Sequence, residues 1–356
     1  MVPTSAQLES LTIGDDVSYY YFDSGAVPGN IYTTFVFIHG MGFNGGVFRK
    51  LFPLAAAHNL RIVSLYRRDY DPTTSFRDAD LAGPISGTVE GQEGFLRNQA
   101  VDIAIFLVTF AREQNIPPAQ GTSGGIALIG WSLGSLFTHA VVAYLDALPS
   151  NIISDLERYL HTMLSHDASS TLLGLPYPQI HNIDIWSETD IKSRFNIFRE
   201  WVTAYFPHQS VTSGNIDDLE FNKFSDNTHT MHELSSKELA ELTSIKTFGG
   251  SDMLIARSQQ DVFKTLARRA IFDTALAQKF LPNLRVRYMS GGASPGVLVW
   301  ALYEIGKCLA DPKPVYGPDA KTARDVKLKF QTEGNHFVFW DEPQAALGQY
   351  IATINL

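Results

Sequence analysis

The pentapeptide Gly130-Trp131-Ser132-Leu133-Gly134 has the spacing of a nucleophilic serine on a tight turn. A serine presented for attack sits where a strand turns sharply into a helix. Side chains two positions to either side would collide there, which explains the flanking glycines. The helix that follows aims its N–H groups and dipole at the site and favours negative charge beside the serine. Here the apolar run IALI precedes the turn and SLFTHAVVAYLDAL, a helical stretch, follows it. A serine attacking an acyl carbon creates an oxyanion, which needs two fixed backbone N–H donors. Phe37-Ile38-His39-Gly40-Met41-Gly42 closes an earlier apolar run, and its glycines allow close backbone approach. The expected donors are the amides of Met41 and Leu133, the latter just after the nucleophile. The His39 side chain is read as bonding only its own loop.

The attack also needs a base. Thr332-Glu333-Gly334-Asn335-His336-Phe337 follows the last expected strand. A loop at the C-terminal end of a sheet strand faces the crevice where the serine would lie, so His336 is the expected general base. Asp341 and Glu342 are read as caps of the final helix, which Pro343 begins.

These groups require a sheet to hold them. LESLTIGDDVSYYYF (8–22) alternates around a turn and predicts a β-hairpin. TTFVFIHG (33–40), LRIVSLY (60–66), GGIALIG (124–130) and LHTMLSHD (160–167) are short continuous apolar runs, as expected of strands buried on both faces of a parallel sheet. NLRVRYMSG (283–291) and VKLKFQTEG (326–334) add two more. Helical stretches alternate with them, with apolar spacing at Phe95, Ala100, Ile103, Phe106, Leu107 and Phe110 in one and PQAALGQYIATI as the last. The prediction is an α/β protein with a mostly parallel, doubly wound sheet. Residues 69–91 read as a loop. Residues 170–257 break the rhythm and read as a helical cap, or lid, inserted in a core formed by 1–169 and 258–356.

Composition limits the function classes. The 356 residues are 45% hydrophobic and 18% charged, with net charge −9. That balance fits a soluble globular protein and gives no basic surface for nucleic acid. The single cysteine, Cys308, forms no internal disulfide. No signal peptide and no membrane-spanning apolar run is read, so a cytoplasmic protein is expected, without nucleic-acid or membrane partners. The oligomeric state is open.

HGMG, GWSLGS and GNHFVFWDEP, in this order and spacing, resemble the α/β-hydrolase superfamily over nearly the whole chain. SLYRRDYDPTTSF is similar to a segment of fungal members. The resemblance implies the α/β-hydrolase fold, a Ser-His-acid triad, no metal and no organic cofactor. A serine at the elbow argues against the branches that carry aspartate there. The family's acid commonly follows the strand placed at 284–289, yet that loop reads SGGASPG and has no carboxylate. A second family placement, at the end of the strand after the nucleophile helix, falls on Asp167. Glu304, within a helix, is the alternative.

Three weaker features complete the reading. His229 and His232, near Asp226 and Glu233, lack a spaced third ligand set for zinc and are read as a polar helix of the cap. Arg67-Arg68-Asp69 is read as an ion-paired turn, with anion binding as the alternative. Tyr177, Trp186, Phe195, Phe198, Trp201, Tyr205 and Phe206 would line an apolar pocket or form a small core of the cap. The expected function is hydrolysis of a carboxylic ester or lactone of a hydrophobic small molecule through an acyl-enzyme. Acyl transfer or C–C bond cleavage by the same residues is the alternative, as is a non-catalytic ligand-binding protein on this fold.

Overall fold

In the computed structural model, residues 7–14, 16–29, 31–178, 184–224, 230 and 234–356 are described. Eight strands form one sheet: β1 (Leu8–Ile13), β2 (Val17–Asp23), β3 (Thr33–Ile38), β4 (Leu60–Leu65), β5 (Ile126–Trp131), β6 (Leu160–His166), β7 (Arg285–Ser290) and β8 (Asp325–Phe330). Their spatial order is β1-β2-β4-β3-β5-β6-β7-β8. β1, β2 and β4 pair antiparallel, and every other neighbouring pair is parallel. Every residue of β3, β4, β5 and β6 is buried, as continuous apolar runs predict for strands covered on both faces.

The principal helices are α1 (Asp78–Ser86), α2 (Val89–Glu113), α3 (Gly134–Ala143), α4 (Ser150–Tyr159), α5 (Ile191–Val202), α6 (Ser236–Leu242), α7 (Gln260–Ala267), α8 (Gly296–Ala310) and α9 (Pro343–Ile354). The chain runs from β3 to β4 on one side and returns to place β5 on the other. This reversal opens a crevice between the C-terminal ends of β3 and β5, where ligands of open α/β sheets bind. Both the His39–Gly42 loop and Ser132 lie at that end.

Three readings need correction. Residues 69–91 are not all loop, because α1 lies within them and packs along α2. Its DADLAGPIS sequence has Gly, Pro and Asp, the signals of a loop. It is held by the Arg77 N–H, which donates to Asp80 Oδ2 at 2.9 Å, and by the ion pair from Arg68 to Asp80 at 2.8 Å. The second correction concerns α2, which by length and apolar composition could cross a membrane. It packs on β1, α1, α3 and α4, with 61% of the apolar window buried within the protein. The third concerns the final helix: Glu342 makes no side-chain cap bond, and Asp341 instead accepts from Tyr205 Oη at 2.8 Å and Thr230 Oγ1 at 2.6 Å.

Candidate active site

β5 passes into α3 through Ser132, whose φ of 55° puts a non-glycine residue in the left-handed region. Such strain persists only where the surroundings impose it. Two bonds do so: Ser132 N–H donates to His166 O at 2.9 Å, and Ser135 N–H donates to Ser132 O at 2.9 Å. The flanking glycines are sterically required. A Cβ on Gly130 would lie 2.6 Å from Ser135 Cα, and one on Gly134 would overlap the Ile38 carbonyl. A Cβ on Gly40 would reach 2.8 Å from Ser132 Cβ, so the close approach of the two loops also demands glycine there. Among the described residues, neither the Met41 nor the Leu133 amide N–H has a hydrogen-bond acceptor.

His336 follows β8 and is buried beneath Trp131, whose ring centre lies 4.7 Å from its own. Trp131 Nε1 donates to His336 O at 3.0 Å. His336 Nδ1 lies 2.9 Å from Asp167 Oδ2. Asp167 ends β6 with φ 52° and is fully buried. The acid-free loop after β7 is a cradle for this carboxylate. Ser290 Oγ and the Gly291 N–H donate to Oδ1 at 2.7 and 3.1 Å, and Ser294 Oγ donates to Oδ2 at 2.7 Å. Burial alone would raise the Asp167 pKa. The adjacent His166, the hydrogen bond to His336 and the Ser290 hydroxyl outweigh it and hold the carboxyl at about 2. Burial pushes His166 down to about 4, and its Nδ1 lies 2.8 Å from Tyr350 Oη.

Glu304 is not part of this cluster. It lies on α8 and pairs with Lys307 at 2.6 Å. Asp226, His229, His232 and Glu233 lie outside the described residues. Among the described residues no group of three or more His, Cys, Asp or Glu is placed to hold a metal ion.

A cavity of about 280 Å³ opens onto Ser132, His336, Met41 and Leu133. The chain between β6 and β7 supplies most of its remaining, largely apolar wall, including Tyr177, Trp186, Phe198, Trp201 and Met253. The aromatic residues of this stretch therefore divide. Phe195 packs against Phe43 and Phe248, and Phe206 against Trp201 and Phe224, away from the cavity lining.

Arg67 and Arg68 find their partners outside their own turn. Arg68 pairs with Asp80 and Asp102, and Arg67 with Asp252 at 2.8 Å. The His39 side chain bonds its own loop, with Nδ1 3.0 Å from Gly40 O, but not that loop alone. Its Nε2 accepts from the Arg67 backbone N–H at 3.0 Å, so the proton resides on Nδ1. Sequence reasoning missed Ser290, Ser294, Tyr70 and Asp252. The two serines bracketing an acid-free loop were the only local signal.

No family model and no curated sequence matches this chain. Solved structures do. A structure from work on carboxylesterases of the ammonia-oxidizing thaumarchaeon Nitrososphaera gargenis superposes with a TM-score of 0.51 at 14% identity, covering 98% of this chain and 99% of that one. An epoxide hydrolase mutant from Vigna radiata gives 0.54 at 11% identity, covering 98% of each chain. An epoxide hydrolase mutant from Solanum tuberosum gives 0.51 at 12% identity, covering 98% and 99%. The chain has the α/β-hydrolase fold, a mostly parallel eight-stranded sheet with flanking helices.

Proposed function

We propose that the protein is a serine hydrolase that cleaves a carboxylic ester or lactone of a hydrophobic small molecule. One observation carries this reading: Ser132, in strained backbone geometry, shares an apolar cavity with His336, whose Nδ1 lies 2.9 Å from the buried Asp167 carboxylate. An ionised Asp167 accepts a hydrogen bond from the Nδ1–H without taking the proton, leaving His336 Nε2 free to act as base. Ser132 Oγ attacks the acyl carbon while Nε2 takes its proton. The oxyanion is received by the Met41 and Leu133 amides. The C–O bond then breaks, and His336 returns the proton to the leaving alkoxide. Water, deprotonated by His336, attacks the acyl-enzyme, and Ser132 leaves with the proton.

The segment 170–257 acts as the cap in this proposal. Its contribution of Tyr177, Trp186, Phe198, Trp201 and Met253 to the cavity supports that role. Core packing resumes at α7, which lies against α2 and α3. The largely apolar wall favours a hydrophobic acyl or alcohol part.

The test is labelling and turnover. A fluorophosphonate should label Ser132, and Ser132→Ala should abolish labelling and lower hydrolysis of p-nitrophenyl esters by at least ~10³-fold. Labelling that persists in Ser132→Ala assigns the nucleophile elsewhere. A wild-type protein that binds esters without labelling or turnover is a ligand-binding protein instead.

A further inference from the structure

Resting on that reading, we propose that Asp252 is a positioning residue that sets the oxyanion-binding amide of Met41. It thereby couples the oxyanion site to the wall of the substrate cavity.

Asp252 is fully buried and comes from the chain between β6 and β7, 185 residues from its partner Arg67 in sequence. Oδ2 accepts from the Gly42 N–H at 2.9 Å and from the Tyr70 hydroxyl. Oδ1 accepts from Arg67 Nη2 at 2.8 Å. The same guanidinium donates to Gly40 O at 2.9 Å and to His39 O at 3.1 Å. Tyr70 Oη is a second acceptor for the Gly42 N–H, at 2.8 Å. The carbonyls of residues 39 and 40 and the amide of residue 42 are thus all tied to one buried network. The Met41 amide between them has no acceptor among the described residues.

Gly42 has φ 74°, so the turn needs external ties to hold one geometry. A buried ion pair is poor evidence for stability, because desolvation consumes much of its attraction. Here the pair delivers directed bonds to a loop, the arrangement that fixes a functional group to within a fraction of an ångström. The adjoining residues Met253 and Ala256 line the cavity, and Ser244 N–H donates to Gly42 O at 3.0 Å. The segment that shapes the substrate wall therefore also holds the oxyanion loop.

The test separates binding of the transition state from binding of the ground state. Asp252→Asn should lower kcat on p-nitrophenyl butyrate by about 10–100-fold, less than the loss of a whole oxyanion donor, and change KM by less than about threefold. Affinity for an alkyl trifluoromethyl ketone should fall by a similar factor. Its carbonyl carbon takes Ser132 Oγ, the serine proton passes to His336, and the carbonyl oxygen becomes the oxyanion. Affinity for the matching methyl ketone, which binds without addition, should not change. Tyr70→Phe keeps the Arg67–Asp252 pair, removes one tie to Gly42 and should show the same pattern at about 3–10-fold. It decides the matter if Asp252→Asn does not fold. Equal weakening toward both ketones, or unchanged kcat in the variant that folds, overturns the proposal. Failure of the wild type to react with fluorophosphonate instead overturns the serine-hydrolase reading on which it rests.

Discussion

Two loops flank Ser132, and they are held by different means. The loop at 39–42 is tied by charged and phenolic groups drawn from elsewhere: Arg67, Tyr70 and Asp252. The carboxylate at Asp167, on the other side, is held by Ser290, Gly291 and Ser294, which belong to a loop of the sheet core itself. The chain between β6 and β7 reaches the first through the Asp252 carboxylate, whereas it meets the second at the backbone of the supporting loop, with Phe206 N–H donating to Ala293 O at 3.0 Å and His208 Nε2 lying 2.7 Å from Ser294 O. Loss of the Asp252 carboxylate should therefore disturb the 39–42 loop and leave the direct donors to Asp167 in place.

The comparison breaks most sharply at the carboxylate. Asp167→Asn should lower turnover on the order of 10³–10⁴-fold by favouring the wrong imidazole tautomer, in an ester-hydrolysis assay. Glu304→Gln, which removes only the carboxylate partner of Lys307 on α8, should leave turnover unchanged. The reverse ranking would move the acid to α8.

The cavity wall gives the next largest effect. Trp201 is buried and donates from Nε1 to Phe221 O at 2.8 Å, whereas Trp186 is 44% exposed. Trp201→Ala should cost about 3–5 kcal/mol in a denaturation experiment. Trp186→Ala should cost under about 1 kcal/mol yet change the ratio of kcat/KM for short and long acyl chains. An equal stability loss in both would make Trp186 part of a packed core.

Both flanks also carry buried neutral histidines. Burial, then Arg67, pushes His39 well below its usual value, and burial pushes His139 and His166 down to about 4. The unfolded chain takes up these protons near pH 6.5, while the fold resists them. Stability should fall as pH drops from about 6.5 to 4, on the order of 1–2 kcal/mol per histidine, read from urea midpoints at pH 7 and 5. Asp167 acts in a lower window, because its depressed pKa contributes stability above about 4 that is lost as pH falls through about 2. A midpoint unchanged between pH 7 and 5 would show that these histidines titrate in the fold as they do in the unfolded chain.

The smallest expected effect tests the core side alone. Ser294→Ala removes one donor to Asp167 Oδ2 and should lower kcat by about 3–10-fold with KM unchanged. A loss as large as that of Asp167→Asn would mean that the cradle, rather than the carboxylate, sets the geometry of His336.

Local pattern was enough for much of this molecule. Continuous apolar runs marked β3 to β6, because a strand covered on both faces has no polar side to show. Glycines around Ser132 marked the elbow, since only backbone without Cβ fits against Ser135 and Ile38. His336 was legible from its place after a strand, and Asp167, with Glu304 as the alternative, from the family placement that the resemblance implied. What lay beyond reach were contacts without periodicity or spacing. Arg67 gave no hint of Asp252, and an acid-free SGGAS loop gave little hint of a cradle for Asp167. α1 was missed because the bond from the Arg77 N–H to Asp80 and packing along α2 outweigh its Gly and Pro. A sequence records which residues favour a strand, a turn or a cap, because those preferences act over a few bonds. Which buried carboxylate meets which guanidinium depends on the path of the intervening chain, and only the folded structure decides that.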